Sequence, residues 1–577
     1  MQKYDFFYTF AALILSIYSM RKYFILTAVF ALLTSMLFAQ TESGELPYSF
    51  GMKSISQSVD VQIMPTTDVE KLLSEDASVQ EKSRPQRMGV GYKVDKTFEN
   101  SGRKDILEDG STLWRAKFVS KDAVMTYLVI NKLNIPAEGK LFIYSPDHEQ
   151  VYGPYTNADM QEVGAMETDN IIGDELVLEY YEPANASFKG EINIAAVMHV
   201  YRDFLGVRND SKGPIGNADG NCHINVVCPD AQGWSYPIKS VVCIGITAYV
   251  QEEGGYAGFL CSGATVNNVR MDKTPYVLTA DHCIEADNQT HKFYFNYQTY
   301  ECSGNTGSYK VANGGTIVAR SNTSSTMQAS DFALLKITGS LSITFRDSIV
   351  FAGWDRSGAA SVGAGIHHPG GDWKKISFPR SIDIPTSGQL ANKYFVVHWK
   401  TNPNKGVTEQ GSSGSPLFNF NQLIIGTLTS GSSYCSYPQG TDNYGRMSYH
   451  WTNNNTSSAN RKLQPWLDPD NTGVMTVPSM KYDGTVVTNI QDYNLRTSTF
   501  DIYPNPAQDG FVTVQGEFFH ETAVCNIYNM MGQLVMSSTL TTDPTFTLNV
   551  SSLENGVYFV ELVGSERNYK SKLVIAR

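Results

Sequence analysis

The chain has 577 residues, enough for three or four folded units at roughly 150 residues each. Acidic residues outnumber basic ones 57 to 45, a formal charge of −12 that gives a nucleic-acid partner no electrostatic footing. With 18% charged residues, 32 Tyr, 28 Phe and 47 Gly, the balance favours strands and turns and excludes a coiled coil or an acidic disordered tail.

Two apolar runs, Phe6 to Ser19 and Tyr23 to Phe38, flank Met20-Arg21-Lys22. The second has a basic start, an apolar stretch and small residues ending in Ala39, the layout of a secretory signal over 1–39, with Met20 as an alternative start. A retained membrane anchor is the competing reading, because the joined runs approach the roughly 20 apolar residues of a spanning helix. No later stretch is long and apolar enough to span, so no stable membrane span is expected after processing. Export also permits disulfides.

Residues 40–212 are cysteine-free and strand-like over Leu113 to Val119, Ala123 to Ile130, Lys140 to Tyr144, Glu175 to Tyr181 and Glu191 to Tyr201. A polar stretch from Val207 to Gly220 reads as a linker. Residues 213–476 follow, rich in short strands and turns, with a last helix around Ala459 to Leu467 stopped by Asp468-Pro469. A second linker is placed at 477–497. The final unit, 498–577, has strands over Phe511 to Val514, Ala523 to Tyr528, Gln533 to Met536 and Val557 to Val563. The fold class expected is all-β throughout.

Seven of the eight cysteines, Cys222, Cys228, Cys243, Cys261, Cys283, Cys302 and Cys435, fall in the middle region, and Cys525 lies near the end. No Cys-x2-Cys pair occurs, which argues against zinc and for disulfides. The same region holds Thr279-Ala-Asp-His282-Cys283, then Ser330-Asp331-Phe332, then Gly411-Ser-Ser413-Gly-Ser-Pro416, with 49 and 82 residues separating His, Asp and Ser. A serine hydroxyl becomes a nucleophile when an imidazole takes its proton, and the imidazole needs a carboxylate to hold its tautomer. The order His282, Asp331, Ser413 is that of the chymotrypsin type. Gly-x-Ser-Gly-x-Pro selects Ser413 over Ser412 and Ser415, and the amides of Gly411 and Ser413 would hold the oxyanion.

Residues 222–468 resemble the bacterial lysyl endopeptidases. The stretches that carry the resemblance include Cys222-His-Ile-Asn-Val-Val-Cys228-Pro229, Cys261-Ser-Gly-Ala-Thr-Val-Asn-Asn268, Tyr276-Val-Leu-Thr-Ala-Asp-His-Cys283, Ile366-His-His-Pro369 and Asp442-Asn-Tyr-Gly-Arg446. The resemblance implies a chymotrypsin-like double β-barrel over 213–476 and a secreted serine endopeptidase that cuts after Lys. It also implies the triad His282, Asp331 and Ser413, and disulfides Cys222–Cys435, Cys228–Cys302 and Cys261–Cys283, with Cys243 as a thiol. Neither a cofactor nor a metal is implied, and the adjacent pair His367-His368 is a poor chelate.

The position six before Ser413 is Val407, so charge in the specificity pocket must come from elsewhere, and Asp442 stands where the family carries its specificity carboxylate. Thr429, Ser430 and Gly431 would pair with the substrate backbone. Arg specificity, dual Lys/Arg specificity and an inert surface adhesin on the same fold are the alternatives. Residues 40–212 resemble the family's propeptides, which would assist folding and cover the active site, with Lys212 as the self-cleavage point. The unit 498–577 resembles the C-terminal sorting domains of type IX secretion cargo, through Tyr503-Pro-Asn-Pro506, Leu553-Glu-Asn-Gly-Val-Tyr-Phe559 and Lys572-Leu-Val-Ile-Ala-Arg577. That resemblance implies an immunoglobulin-like β-sandwich, an outer-membrane secretion machinery as partner, and a secreted or cell-surface protein.

Overall fold

The computed structural model of the chain describes residues 44–52, 55, 58–78, 84–207, 222–251, 254–284, 289–304, 306–321, 330–339, 341, 346, 348–360, 363–401, 406–452, 456–487, 501–515, 523–529, 533–540, 545–563 and 568–577. The expected signal segment 1–39 and Lys212 lie outside them. Contacts divide the chain into two compact units with the boundary after Val487.

In residues 44–207 the strands Asp60–Ile63, Arg103–Ile106, Thr112–Val119, Lys140–Tyr144, Val151–Tyr155 and Glu175–Glu182 form one sheet. Alternation along the last of these sends Leu176, Leu178 and Tyr180 into the core between this sheet and the next. Its other face is also covered. Val177 packs with Phe142, Tyr144 and Phe50, and Glu179 is buried, accepting from Tyr144 Oη and Ser49 N, each at 3.1 Å. Those hydrogen bonds offset the cost of burying a carboxylate there.

The second sheet crosses from this region into the next. Gln86–Lys96 pairs with Glu191–Val200 on one side and with Gly255–Val266 on the other, in the register Tyr256↔Gly91 to Leu260↔Gln86. The contact is backed by a shared apolar cluster that includes Met88, Tyr127, Met198 and Phe204 from the first region and Cys243, Leu260, Tyr294, Tyr297 and Trp373 from the second. At its margin Lys292 Nζ lies 3.2 Å from Glu167 Oε2, both side chains 2% exposed, and 4.0 Å from the centre of the Tyr127 ring.

Residues 222–487 contribute to two large sheets whose strands given below pair antiparallel, the all-β architecture expected for this region. The first runs in the order Gly307–Asn313, Thr290–Thr299, Val241–Val250, Gly255–Val266, Tyr276–Thr279, Ala333–Ile337, Gly315–Arg320. The second runs Ile224–Asn225, Lys375–Ser377, Ala364–His367, Pro416–Phe418, Ile424–Gly431, Thr441–Arg446, Tyr394–Trp399, Pro379–Asp383. Val241, Leu278 and Leu334 from the first meet Ile366, Phe418 and Ile424 from the second in one core along the seam, joined by Phe332 just before its strand and Met447 at the start of the helix Met447–Thr452. Disulfides join Cys222 to Cys435, Cys228 to Cys302 and Cys261 to Cys283, while Cys243 and Cys525 are buried thiols.

Two local readings are corrected. The helix expected over Ala459 to Leu467 is a 3-10 turn, Ala459–Arg461, and a separate four-residue helix, Gln464–Leu467. Lys462 is extended (φ −152°, ψ 156°), and Pro465 lacks the N–H that a continuous helix would use. The stretch read as a linker from residue 477 begins as strands, Thr476–Val477, Ser479–Lys481 and Val486–Val487. Val477 pairs with Trp354 and Met480 with Phe351, and burial of both apolar side chains keeps the chain on the barrel.

In the last unit the strands Asp501–Tyr503, Phe511–Gln515 and Thr545–Asn549 form one sheet, and Leu534–Leu540, Ala523–Tyr528, Gly556–Val563 and Asn568–Ile575 the other. Val512, Val514, Ile527, Val560 and Leu573 lie in the core they share, a small β-sandwich.

Candidate active site

Adjacent strands bring His282 and Asp331 together. His282 lies in the 3-10 turn Asp281–Ile284, straight after strand Tyr276–Thr279, and Asp331 stands just before Ala333–Ile337, which pairs with that strand through Thr279↔Ala333. Asp331 Oδ2 is 2.6 Å from His282 Nδ1, and Asp331 Oδ1 accepts the His282 backbone N–H at 3.0 Å. Both side chains are 2% exposed. A carboxylate that grips backbone and ring together fixes the imidazole's direction and keeps the proton on Nδ1, so Nε2 carries the lone pair. Behind it, the Asp331 carbonyl accepts from Thr427 Oγ1 at 3.4 Å, and that oxygen is 2.9 Å from Nε2 of His450. His450 is fully buried, and burial brings its pKa down to about 3, so this second ring is neutral.

Ser413 is held against the same corner. Ser262 donates its N–H to the Ser413 carbonyl at 2.8 Å and its hydroxyl to the Gly411 carbonyl at 2.9 Å. A Cβ at Gly414 would lie 2.1 Å from Thr279 Oγ1 and 2.6 Å from Ala280 N, so only glycine lets the loop approach the strand end that leads to His282. The Cys261–Cys283 disulfide closes this corner, one cysteine beside Ser262 and the other beside His282. Gly411 has φ +87°, and a Cβ there would stand 2.7 Å from Gly371 N. Both facts require glycine at the position whose amide would face an oxyanion. Of the other two serines, Ser412 is 2.8 Å from Nδ1 of His367, and Ser415 is fully buried with its N–H on the Ser412 carbonyl.

Asp442 is fully buried on strand Thr441–Arg446, between Val397 and Gly431 of the flanking strands. Its Oδ2 accepts from Trp399 Nε1 at 2.5 Å, Thr408 Oγ1 at 2.7 Å and Ser433 Oγ at 2.5 Å. A Cβ at Gly431 would sit 1.8 Å from Asp442 Oδ1, so a side chain at residue 431 would fill the space over the carboxylate. Val407 is buried in the apolar wall with Trp399 and Tyr444. Thr429 sits at a bulge, because the register passes from Leu428↔Tyr444 to Ser430↔Asn443. Its side chain is buried, whereas Ser430 is half-buried and its Oγ accepts from Asn443 Nδ2 at 3.1 Å.

The two adjacent histidines diverge. His367 faces Ser412, and His368 has Nδ1 2.9 Å from the Asp372 carbonyl and stacks on Tyr297 with ring centres 5.2 Å apart. Burial holds the His368 pKa well below its usual value, so its ring is neutral. A side-chain cluster of Cys222, His223 and Cys435 has metal-ligand spacing, but the two sulfurs are bonded to each other and His223 pairs with Glu409 at 3.4 Å. Sequence reasoning missed Trp399, Thr408 and Ser433 around Asp442, and Tyr297, whose hydroxyl donates to the carbonyls of Phe204 and Gly371. These contacts join distant strands, and no local motif marks them.

Residues 216–445 match the family model described as lysyl endopeptidase, C-terminal domain, and residues 501–576 match the secretion system C-terminal sorting domain. These matches meet the resemblances read for residues 222–468 and 498–577. A curated lysyl endopeptidase of Pseudomonas aeruginosa is 27% identical over 287 residues, 47% of this chain and 58% of that protein. The chain thus spans less than two thirds of that relative's length. Among solved structures, a thermostable serine protease from an extremophilic microorganism is 14% identical, covering 36% of this chain and 91% of its own, with a TM-score of 0.27.

Proposed function

We propose that residues 222–487 form an exported serine endopeptidase that cuts peptide bonds after lysine. The observation that carries this reading is the grip of Asp331 on both the ring and the backbone N–H of His282, beside the loop that presents Ser413. In this mechanism Ser413 Oγ attacks the scissile carbonyl carbon as His282 Nε2 takes the hydroxyl proton. Asp331 stabilises the imidazolium, and the amides of Gly411 and Ser413 receive the oxyanion. Collapse breaks the C–N bond, the amine leaves with the proton from His282, and water then hydrolyses the acyl ester by the same steps in reverse.

Asp442 supplies the preference for a cation. Three donors already converge on its Oδ2. A guanidinium gripped by both oxygens would compete with them, whereas an ammonium needs one oxygen, which favours lysine over arginine. Ser430 and Gly431 offer backbone to the substrate strand, and Gly431 leaves room over the carboxylate for its side chain. Lys212 would be the point where the enzyme releases residues 40–212. The unit 498–577 would hand the chain to a type IX outer-membrane secretion machinery, placing the product at the cell surface or beyond.

Digestion of a mixed peptide library by wild type and Ser413→Ala tests the chemistry, together with a serine-directed phosphonate probe. Cleavage after Lys by wild type alone, with the probe on Ser413, is expected. An uncut library and an unlabelled Ser413 would sink the protease reading. Amino-terminal sequencing of the matured protein tests Lys212, for which Gly213 is the expected first residue.

A further inference from the structure

Ser412 lies between the two residues whose amides would face the oxyanion, and the reaction consumes no part of its side chain. It is fully buried, as is His367, which faces it. The Glu409 N–H donates to Ser412 Oγ at 3.2 Å, and Ser412 Oγ is 2.8 Å from His367 Nδ1. On the far side of the ring, Nε2 is 2.9 Å from Ser377 Oγ, which donates to the Val407 carbonyl at 3.4 Å.

With the Ser377 hydroxyl donating to the Val407 carbonyl, a neutral ring leaves one arrangement of the hydrogens along this chain. The Val407 carbonyl can only accept, so the Ser377 proton points to it and Ser377 Oγ accepts from His367 Nε2–H. Nδ1 is then the acceptor, and the Ser412 hydroxyl donates to it while receiving the Glu409 N–H. Each member gives one hydrogen bond and takes one, from a backbone donor to a backbone acceptor of the same segment. A chain of this kind fixes the rotamer of Ser412 and, with it, the turn of backbone between Gly411 and Ser413.

We propose that His367 is a positioning residue for the oxyanion-binding amides of Gly411 and Ser413, acting through Ser412. This rests on Ser413 being the nucleophile. Outright loss of one oxyanion donor costs roughly 10²–10³-fold in kcat, and a loop released from its brace should cost less, on the order of 10–100-fold.

The test uses the full chain, matured, with a lysyl amide substrate. His367→Leu and Ser412→Ala should each lower kcat by about 10–100-fold with KM within about twofold, because the loss falls on the transition state. Affinity for a lysyl aldehyde, which forms a tetrahedral adduct on serine, should fall by the same factor. The double variant should be no worse than either single one, because both break one chain. His367→Gln, which offers a donor and an acceptor in the same order, should recover most of the rate. A kcat within twofold of wild type in both single variants would overturn the proposal, as would a loss seen in KM alone or a Gln variant no better than Leu. If His367→Leu does not fold, Ser412→Ala, which removes one oxygen, decides by the same criteria. A phosphonate probe on wild type separates the two readings. Labelling at Ser413 leaves the variants to decide, and no labelling overturns the nucleophile and this proposal with it.

Discussion

Residues 44–207 and 222–487 share a sheet, yet they are held together by different means. The second region is bound to itself by three disulfides that span 213, 74 and 22 residues. The first has no cysteine and relies on packing, on charge clusters such as Arg87 and Arg202 around Asp76, and on the apolar cluster it shares with its neighbour. Cross-links restrict the unfolded chain whatever happens to the surroundings, whereas shared burial is lost when the partner leaves. The contrast supports the proposal that residues 222–487 persist after a cut at the junction and residues 44–207 do not.

Ser413→Ala is the strongest test of that contrast. It should lower peptide hydrolysis by on the order of 10⁶-fold in kcat and leave the two regions joined on a denaturing gel. Separation of the regions in this variant, in a host lacking other proteases, would show that the cut is not the chain's own chemistry. Asp442→Asn comes next. Cleavage after Lys should drop by about 3–5 kcal/mol in kcat/KM, as for a broken buried ion pair, while Ser413 still reacts with a small phosphonate. Unchanged Lys preference would move the specificity charge elsewhere.

Replacing Cys228 and Cys302 with Ser should lower the stability of residues 222–487 by about 4 kcal/mol, measured by denaturant unfolding. Equal loss in the first region would erase the contrast between them. Glu167→Gln leaves Lys292 buried with its charge and without its carboxylate. It should destabilise the contact between the regions in the uncut Ser413→Ala chain by about 3 kcal/mol. Acid gives the smallest effect. Burial lowers the pKa of His291 to about 4, so the folded state keeps it neutral while an unfolded chain protonates it near 6.5. Its contribution is present in full above pH 6.5 and is lost as pH falls toward 4, about 2 kcal/mol of it by pH 5. His291→Gln should flatten that part of the stability curve, and an unchanged slope would rule the residue out as its source.

The candidate site was legible in the sequence where short motifs mark its residues. His282, Asp331 and Ser413 sit in local patterns with fixed spacing, and strands such as Lys140–Tyr144 and Ala523–Tyr528 have the ends that alternation suggests. The shared sheet was not legible, because the pairing of Gln86 to Gly91 with Tyr256 to Leu260 uses backbone groups that every residue has. The strands at 476–487 were hidden for a related reason, since Val477 and Met480 are short apolar marks in a polar run. His367 read as a weak metal ligand because its partners, Ser412 and Ser377, lie 45 and 10 residues away and meet it only in the fold.

The edge formed by Tyr256, Ala257, Gly258, Phe259 and Leu260 has a consequence for solubility. While Gln86–Lys96 is in place, its backbone donors and acceptors are capped by a strand of the same molecule. If the proposed cut releases that strand, the same groups lie bare beside Phe259 and Leu260, and a bare apolar edge is a template for another chain's edge. The released enzyme should therefore self-associate as its concentration rises, and light scattering should increase after maturation but not in Ser413→Ala. Keeping the strand in place until the protein is outside the cell would confine that hazard to a dilute compartment.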